Sequence, residues 1–125
     1  MIYGIGTDIV EVARIEASIS QFGDDFAKRI LAESEFSAYE KSAIKPRFLA
    51  KRFAAKEAFS KALGTGLRAP CTFQNIAVGH DDLGKPMLVL ATELKDFLSA
   101  KNITQTHISI SDEKNLAAAF VVLET

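Results

Sequence analysis

The chain has 125 residues, of which 48% are hydrophobic and 25% charged, and a formal net charge of −1, as expected for one globular domain covering residues 1–125. No apolar run approaches the roughly 20 residues that span a bilayer, and no basic segment leads into an apolar one at the N-terminus, so we expect a cytoplasmic protein with no membrane association. Cys71 is the only cysteine, which excludes an internal disulfide and a cysteine-based zinc site. We interpret it as a small buried hydrophobe.

The first ten residues alternate in character and predict a strand. One face of this strand is nearly bare because Gly4 and Gly6 lie on it, and Asp8 follows on the same face. Asp8 has two interpretations. It is either the N-cap of the next helix, with Glu11 completing a capping box, or a carboxylate beside a ligand for which the glycines leave room. A dinucleotide-binding fingerprint does not fit, because Ile9 occupies the position of its third glycine and Asp8 would face the pyrophosphate, unless a cation lies between Asp8 and the phosphates.

The pattern then changes to helices and later to strands. Helices are predicted at 11–20, 24–31 and 34–41, the last capped by Ser34, and a long helix begins at Pro46. Two hairpins are predicted from strands 72–80 with 86–91 and strands 106–111 with 116–124, and a helix at 92–101 separates them. Early helices and late antiparallel strands indicate an α+β domain.

Charge is concentrated around the long helix. Eight bases and one acid, Glu57, lie between Lys41 and Arg68. Such a block indicates an anionic partner, which is a phosphorylated small molecule, an acidic protein or a nucleic acid, unless it is only a solvated helix face. A nucleic-acid binder is disfavoured because no base-stacking aromatic residues accompany the bases on a strand surface and the whole chain is slightly acidic.

The helical projection of this segment separates its charges. Arg52 and Lys56 fall within the stripe of phenylalanine and leucine side chains, whereas Glu57 and Lys61 lie toward a face of alanines. We expect this alanine face to pack closely on another element, for which the glycine-bared strand is the candidate, and so to bring Glu57 near Asp8. Lys56 has no assigned role beyond extending its end toward solvent.

Each of the remaining polar candidates has a structural and a functional interpretation. Glu57 and Lys61 form either a surface ion pair or a carboxylate for Mg²⁺ beside an ammonium for a phosphate. The Gly64–Gly66 segment is either a helix C-cap or bare backbone against which a ligand lies. His107 shares the polar face of its strand with two serines and is either structural or meets an anion together with Arg52. We interpret His80, beside a turn, as solvent-exposed.

Two long stretches carry a specific resemblance. GIGTDIVEVARIE (Gly4–Glu16) and RFAAKEAFSKALGTG (Arg52–Gly66) resemble the two signature motifs of the 4′-phosphopantetheinyl transferases of the small holo-[acyl-carrier-protein] synthase type. LGKP and the terminal HISISDE and AAAFVV segments extend the resemblance over nearly the whole chain.

The resemblance implies an antiparallel sheet packed on a long helix and a homotrimer with active sites between subunits. It also implies a reaction of fatty acid biosynthesis. In this reaction coenzyme A donates 4′-phosphopantetheine to a serine of apo-acyl carrier protein, adenosine 3′,5′-bisphosphate is released, and Mg²⁺ is required. A non-catalytic module that binds coenzyme A or the carrier protein is the alternative, and the joint presence of Asp8, Glu57 and Lys61 argues against it.

The resemblance also implies roles for individual residues. Asp8 and Glu57 would hold Mg²⁺ as metal ligands, and Lys61 would act with them as a catalytic residue that contacts the phosphates. The general base remains open between a metal-bound water and either carboxylate. Coenzyme A would be bound by Arg52, Lys61, Gly64, Thr65, Gly66 and His107, with Arg52 and His107 at the 3′-phosphate. The carrier protein would contact Arg14, Phe22, Phe26 and Arg29.

Overall fold

The computed structural model describes residues 1–125 and has five α-helices and five β-strands. In chain order they are β1 (Ile2–Glu11), α1 (Val12–Phe22), α2 (Asp24–Ile30), α3 (Phe36–Lys41), α4 (Lys45–Leu63), β2 (Ile76–His80), β3 (Pro86–Leu90), α5 (Thr92–Ala100), β4 (Gln105–Asp112) and β5 (Leu116–Glu124). Short 3₁₀ turns occupy Glu33–Glu35 and Phe73–Asn75. No helix is long and apolar enough to cross a membrane.

The strands form two antiparallel sheets. One has three strands in the order β1-β5-β4, and the other is the β2–β3 hairpin. Both predicted hairpins and the α+β class are therefore confirmed.

Two predicted helix caps are wrong. Asp8 does not cap α1, because β1 continues to Glu11, which pairs with Leu116 of β5, and α1 begins only at Val12. Ser34 does not cap a helix either, since it lies inside a 3₁₀ turn that precedes α3. In both places the sequence had suitable spacing, but strand pairing or a tighter turn occupies the position of the expected cap.

The centre of the fold is the packing of α4 on β1. The alanine face of α4 is fully or almost fully buried at Ala54, Ala58 and Ala62. A Cβ atom added at Gly4 would overlap the carbonyl oxygen of Ala62, and one added at Gly6 would overlap that of Ala58. The helix backbone thus rests directly on the strand backbone, as predicted from the alanine face and the bare strand face.

The opposite face of the three-stranded sheet is open. Its exposed large apolar side chains include Ile5, Ile9 and Phe120, which are 59%, 65% and 46% exposed. The strand register places Ile5 in one row with Val122 and His107. Because directly opposite residues share a face, His107 lies on this open sheet face, whereas Asp8 lies on the face covered by α4.

Candidate active site

Asp8, Glu57 and Lys61, called here the open cluster, meet at the contact between β1 and α4. The Lys61 Nζ donates hydrogen bonds to the Asp8 Oδ1 at 3.1 Å and to the Thr7 carbonyl oxygen at 3.0 Å. The side chain of Asp8 is 16% exposed and that of Lys61 is 53% exposed. The structure therefore brings together residues that lie about fifty positions apart in the chain, at a place that solvent and ligands can reach.

The Asp8 carboxylate lies close enough to Glu57 to raise the pKa of Glu57. Burial raises the pKa of the Glu57 carboxyl, the negative charge of Asp8 raises it further, and the Lys61 ammonium opposes both effects. Two carboxylates that repel each other in this way favour a cation between them. The chain has no group of three or more metal-binding side chains, so these two carboxylates are what the site offers a metal.

Arg52 and Lys56 belong to a different group, called here the buried cluster, which also contains Glu35. Arg52 Nη1 lies 2.6 Å from Glu35 Oε2, and Lys56 Nζ lies 2.5 Å from Glu35 Oε1. Lys56 is fully buried and also donates to the carbonyl oxygens of Ile30 and Phe73. The expectation that Lys56 extends toward solvent is therefore wrong, because its ammonium donates hydrogen bonds to three acceptors inside the protein.

Arg52 also borders a groove of about 240 Å³ between α4, the β2–β3 turn and the end of β4. Lys51, Phe48 and His80 line the same groove, and the Arg52 guanidinium lies over the Phe48 ring at 4.4 Å. Burial lowers the pKa of His80, and the positive charges of Arg52 and Lys51 lower it further. The groove thus has two cations, Arg52 and Lys51, against one acid, Asp112, and this balance of charge suits an anionic group.

His107 is not part of this groove within one chain. Its Nε2 lies 2.5 Å from the Glu124 Oε1, and it lines a separate cavity with Lys85 and Thr106. The two residues expected at the 3′-phosphate therefore do not meet inside a single subunit.

The Gly64–Gly66 segment ends α4 as a left-handed cap. Gly64 has φ 86° and its N–H bonds to the carbonyl oxygens of Ser60 and Lys61. Gly66 also has a positive φ, and nothing lies within 4 Å of a Cβ added at either glycine. The C-cap interpretation is confirmed, and the open space leaves this backbone accessible, with Thr65 between the two glycines.

The residues expected to contact a carrier protein lie on α1 and α2. Arg14 and Arg29 are exposed, and the Arg29 guanidinium lies 6.0 Å from the ring of Phe22, which is 48% exposed. Phe26 instead packs partly against the core. The surface here combines exposed bases with the exposed acids Glu16, Asp24 and Asp25, and Phe22 contributes more of its aromatic area than Phe26.

Sequence reasoning missed Glu35, Lys51 and His80. Glu35 appeared as one acid among several in a short polar helix, and its partners lie 17 and 21 positions further along the chain. Lys51 was counted within the basic block, and His80, although exposed as predicted, was not connected to Arg52. No local sequence pattern indicates these contacts, because they form only when the first 3₁₀ turn and the β2–β3 hairpin pack against α4.

Comparison with known proteins identifies the relatives of this chain. Residues 4–121 match the model of the 4′-phosphopantetheinyl transferase superfamily. The holo-[acyl-carrier-protein] synthase of Nitrosomonas eutropha is 58% identical over 99% of both chains.

Solved structures agree with this assignment. The holo-[acyl-carrier-protein] synthase of Neisseria meningitidis superposes with a TM-score of 0.97 at 47% identity over 100% of both chains. That of Bacillus anthracis, described in complex with CoA (3′,5′-ADP), has a TM-score of 0.83 at 44% identity and covers 100% of this chain and 98% of that one. The fold, both motifs and the relatives together show that this chain belongs to the 4′-phosphopantetheinyl transferase superfamily and is a phosphopantetheinyl transferase of the holo-[acyl-carrier-protein] synthase type.

Proposed function

We propose that this single-domain protein of residues 1–125 transfers 4′-phosphopantetheine from coenzyme A to a serine of apo-acyl carrier protein, in the cytoplasm and for fatty acid biosynthesis. The reaction releases adenosine 3′,5′-bisphosphate and depends on Mg²⁺. The observation that carries the proposal is the open cluster, in which two carboxylates and an ammonium converge from β1 and α4. The names of the relatives, and the nucleotide named in the Bacillus anthracis structure, support the choice of substrates.

The metal ligands that the open cluster offers fit magnesium. Mg²⁺ binds through one or two protein carboxylates and completes its shell with water and phosphate oxygens, and Asp8 and Glu57 supply two mutually repelling carboxylates. When bound there, Mg²⁺ supplies positive charge against the pyrophosphate oxygens and stabilises the charge that develops as the bond breaks.

The chain's own residues hold coenzyme A, the donor of the phosphopantetheinyl group, in place. Lys61 presents an ammonium at the edge of the carboxylate pair, where the Thr7 carbonyl and Asp8 orient it, and it binds the phosphates as a point charge. The accessible backbone of Gly64, Thr65 and Gly66 lies one helical turn beyond Lys61 and accommodates the chain-like donor. The groove at Arg52 receives the anionic 3′-phosphate.

The open sheet face supports a homotrimer. Exposed apolar side chains on adjacent strands form a contiguous patch of the kind that marks a protein interface. His107 lies on this face and away from the Arg52 groove of its own chain. Association through this face would let His107 of one subunit serve the nucleotide site of the next, which explains why the two residues are separated within one chain.

The carrier protein is proposed to dock on α1 and α2. Arg14 and Arg29 offer exposed positive charge to an acidic carrier, and Phe22 offers an exposed ring beside Arg29. Phe26 contributes mainly by supporting this surface from the core side.

One assay tests the proposal. The protein is incubated with apo-acyl carrier protein, coenzyme A and Mg²⁺, and the carrier is weighed by mass spectrometry. The expected result is a carrier heavier by one phosphopantetheinyl group, together with release of adenosine 3′,5′-bisphosphate. A carrier of unchanged mass, under conditions in which a known transferase modifies it, would contradict the proposal and favour a non-catalytic binding module.

A further inference from the structure

Glu35 is a buried carboxylate that the transfer chemistry does not use. It is 3% exposed and accepts four hydrogen bonds. The Oε1 receives the Ala32 N–H at 2.8 Å and the Lys56 ammonium at 2.5 Å. The Oε2 receives the Arg52 Nη1 at 2.6 Å and the Val78 N–H at 3.0 Å. Two backbone N–H groups from different elements therefore fix this carboxylate independently of its charged partners.

Lys56 balances the charge of Glu35 inside the protein without reaching the groove. Its three ammonium hydrogens are matched by three acceptors, namely Glu35 and the carbonyl oxygens of Ile30 and Phe73. One carboxylate with two cations leaves a net charge of +1 in the cluster. Because Lys56 is fully buried, the excess positive charge is presented by Arg52, the only member that borders the groove between α4 and β4.

The Arg52 guanidinium is held on two sides and open on a third. Glu35 binds one of its nitrogens, and the Phe48 ring lies against it at 4.4 Å. Among buried side-chain nitrogen and oxygen atoms, only Tyr39 Oη has no hydrogen-bond partner. The Arg52 nitrogens without a hydrogen-bond partner are therefore not buried but accessible to solvent. Since a guanidinium binds a phosphate through a planar fork of donors, its orientation determines how well it binds.

We propose that Glu35 is a positioning residue of the transferase. It orients the Arg52 guanidinium so that the unpaired N–H groups of Arg52 face the groove and bind the phosphate at the nucleotide end of coenzyme A. This proposal rests on the proposed function. Glu35 acts through Arg52 and touches neither substrate nor metal. Its effect is therefore confined to recognition of one phosphate and does not extend to the bond that breaks.

The variant Glu35→Gln tests this role because it keeps the shape of the side chain and removes its charge. We expect E35Q to raise KM for coenzyme A about tenfold, the effect of losing one hydrogen bond to a charged group, with kcat nearly unchanged. KM for 3′-dephospho-coenzyme A, which lacks the phosphate that Arg52 meets, should stay at the wild-type value. The matched control is Glu33→Gln, the same change two positions earlier at an exposed residue, which should leave both KM values unchanged.

A second pair of variants keeps the test valid if E35Q folds poorly. Removal of Glu35 alone leaves the Lys56 ammonium buried without its counter-charge, whereas the double variant E35Q/K56M removes both charges. K56M retains the contact between Glu35 and Arg52 and serves as the reference. The double variant should show the selective rise in KM for coenzyme A relative to K56M.

The outcomes are separable. A rise in KM confined to coenzyme A supports the positioning role. An equal rise for both donors, or no rise for either in the E35Q variants, overturns it and leaves the transferase function intact. A wild-type protein that transfers nothing from either donor contradicts the proposed function and the positioning role together.

Discussion

The helix α4 carries two clusters of charge on different sides. Their differences distinguish side chains that hold the fold together from side chains that are free to bind ligands. The buried cluster joins Glu35 to Arg52 and Lys56, and its carboxylate accepts four hydrogen bonds. In the open cluster, Asp8 accepts one side-chain hydrogen bond, from a lysine that is 53% exposed. Both clusters combine carboxylates with cations, yet only the open cluster retains unused acceptors at an accessible place.

This contrast is a general consequence of burying charge. A charge inside a protein is tolerated only when hydrogen bonds and counter-charges replace its hydration. Glu35 and Lys56 are therefore fully hydrogen-bonded and have little capacity for a ligand. Two carboxylates left close together and partly exposed lower the stability of the free protein slightly and gain most from a cation. The open cluster is therefore the part of α4 suited to metal and phosphate chemistry, and Arg52 connects the buried cluster to the groove.

Removal of either carboxylate of the open cluster should have the largest effect. We expect Asp8→Ala and Glu57→Ala each to lower the transfer rate at least about a thousandfold, since each removes a metal ligand at the scissile pyrophosphate. The melting temperature should change little, because both side chains are partly exposed. Glu11→Ala, at the exposed end of β1, is the control. Near-normal turnover of either variant at low Mg²⁺ would refute the metal assignment.

Lys56 of the buried cluster and Lys61 of the open cluster should respond in opposite ways. Lys56→Met removes a buried ammonium and its three hydrogen bonds, and we expect a loss of about 3 kcal/mol in the free energy of unfolding. Lys61→Met should cost less than about 1 kcal/mol, because its ion pair is exposed, but should lower transfer about tenfold. Chemical denaturation and the transfer assay measure both quantities. Equal stability losses would contradict the distinction between the clusters.

A substitution in β1 can weaken the contact between β1 and α4 that forms the open cluster. Gly6→Ala places a methyl group against the Ala58 carbonyl oxygen, and we expect a loss of about 2 kcal/mol in stability from overpacking, with reduced transfer because β1 shifts away from α4. Gly79→Ala is the control, since its added Cβ meets the Val89 side chain at an ordinary 3.4 Å. An unchanged melting temperature for G6A would show that the close packing is not required.

The buried cluster should also give a pH signature. Burial lowers the pKa of Lys56 from 10.5 to about 8, although Glu35 opposes the shift. Between these two pH values the unfolded chain holds a proton that the folded chain has lost, so this residue makes folding more favourable as pH rises. The stability of the wild type relative to K56M should increase by up to about 1.4 kcal/mol per pH unit in this window. A flat or falling difference would contradict the lowered pKa.

Much of the open cluster was predictable from sequence because its signals are local. Strand alternation placed Gly4, Gly6 and Asp8 on one face, and helical periodicity placed Glu57 beside the alanines. A face with small side chains packs closely only on another bare face, so the approach of α4 to β1 followed from composition. The metal and phosphate roles of these residues came from the resemblance to the family and remain predictions.

The buried cluster was not predictable by the same means. Lys56 is a charged residue within the apolar stripe of α4, and helical periodicity does not explain its position. Its acceptors come from α2, the first 3₁₀ turn and the turn before β2. Glu35 lies in a segment that appeared to be a surface helix. A charge at a core position signals that a counter-charge exists elsewhere in the chain, but the identity of its partner depends on tertiary packing. The same limit applies to His80, which enters the groove only because the β2–β3 hairpin turns beside α4.

The magnesium dependence of transfer, measured at saturating coenzyme A in Glu57→Gln and Glu35→Gln, tests most directly whether the two clusters have different roles. The account predicts that wild-type transfer stops when EDTA removes the metal and returns with added Mg²⁺. It also predicts that E57Q raises the half-saturating Mg²⁺ concentration at least about tenfold, whereas E35Q leaves it unchanged. Full transfer in EDTA, or the same magnesium dependence in E57Q as in the wild type, would contradict the assignment of metal chemistry to the open cluster.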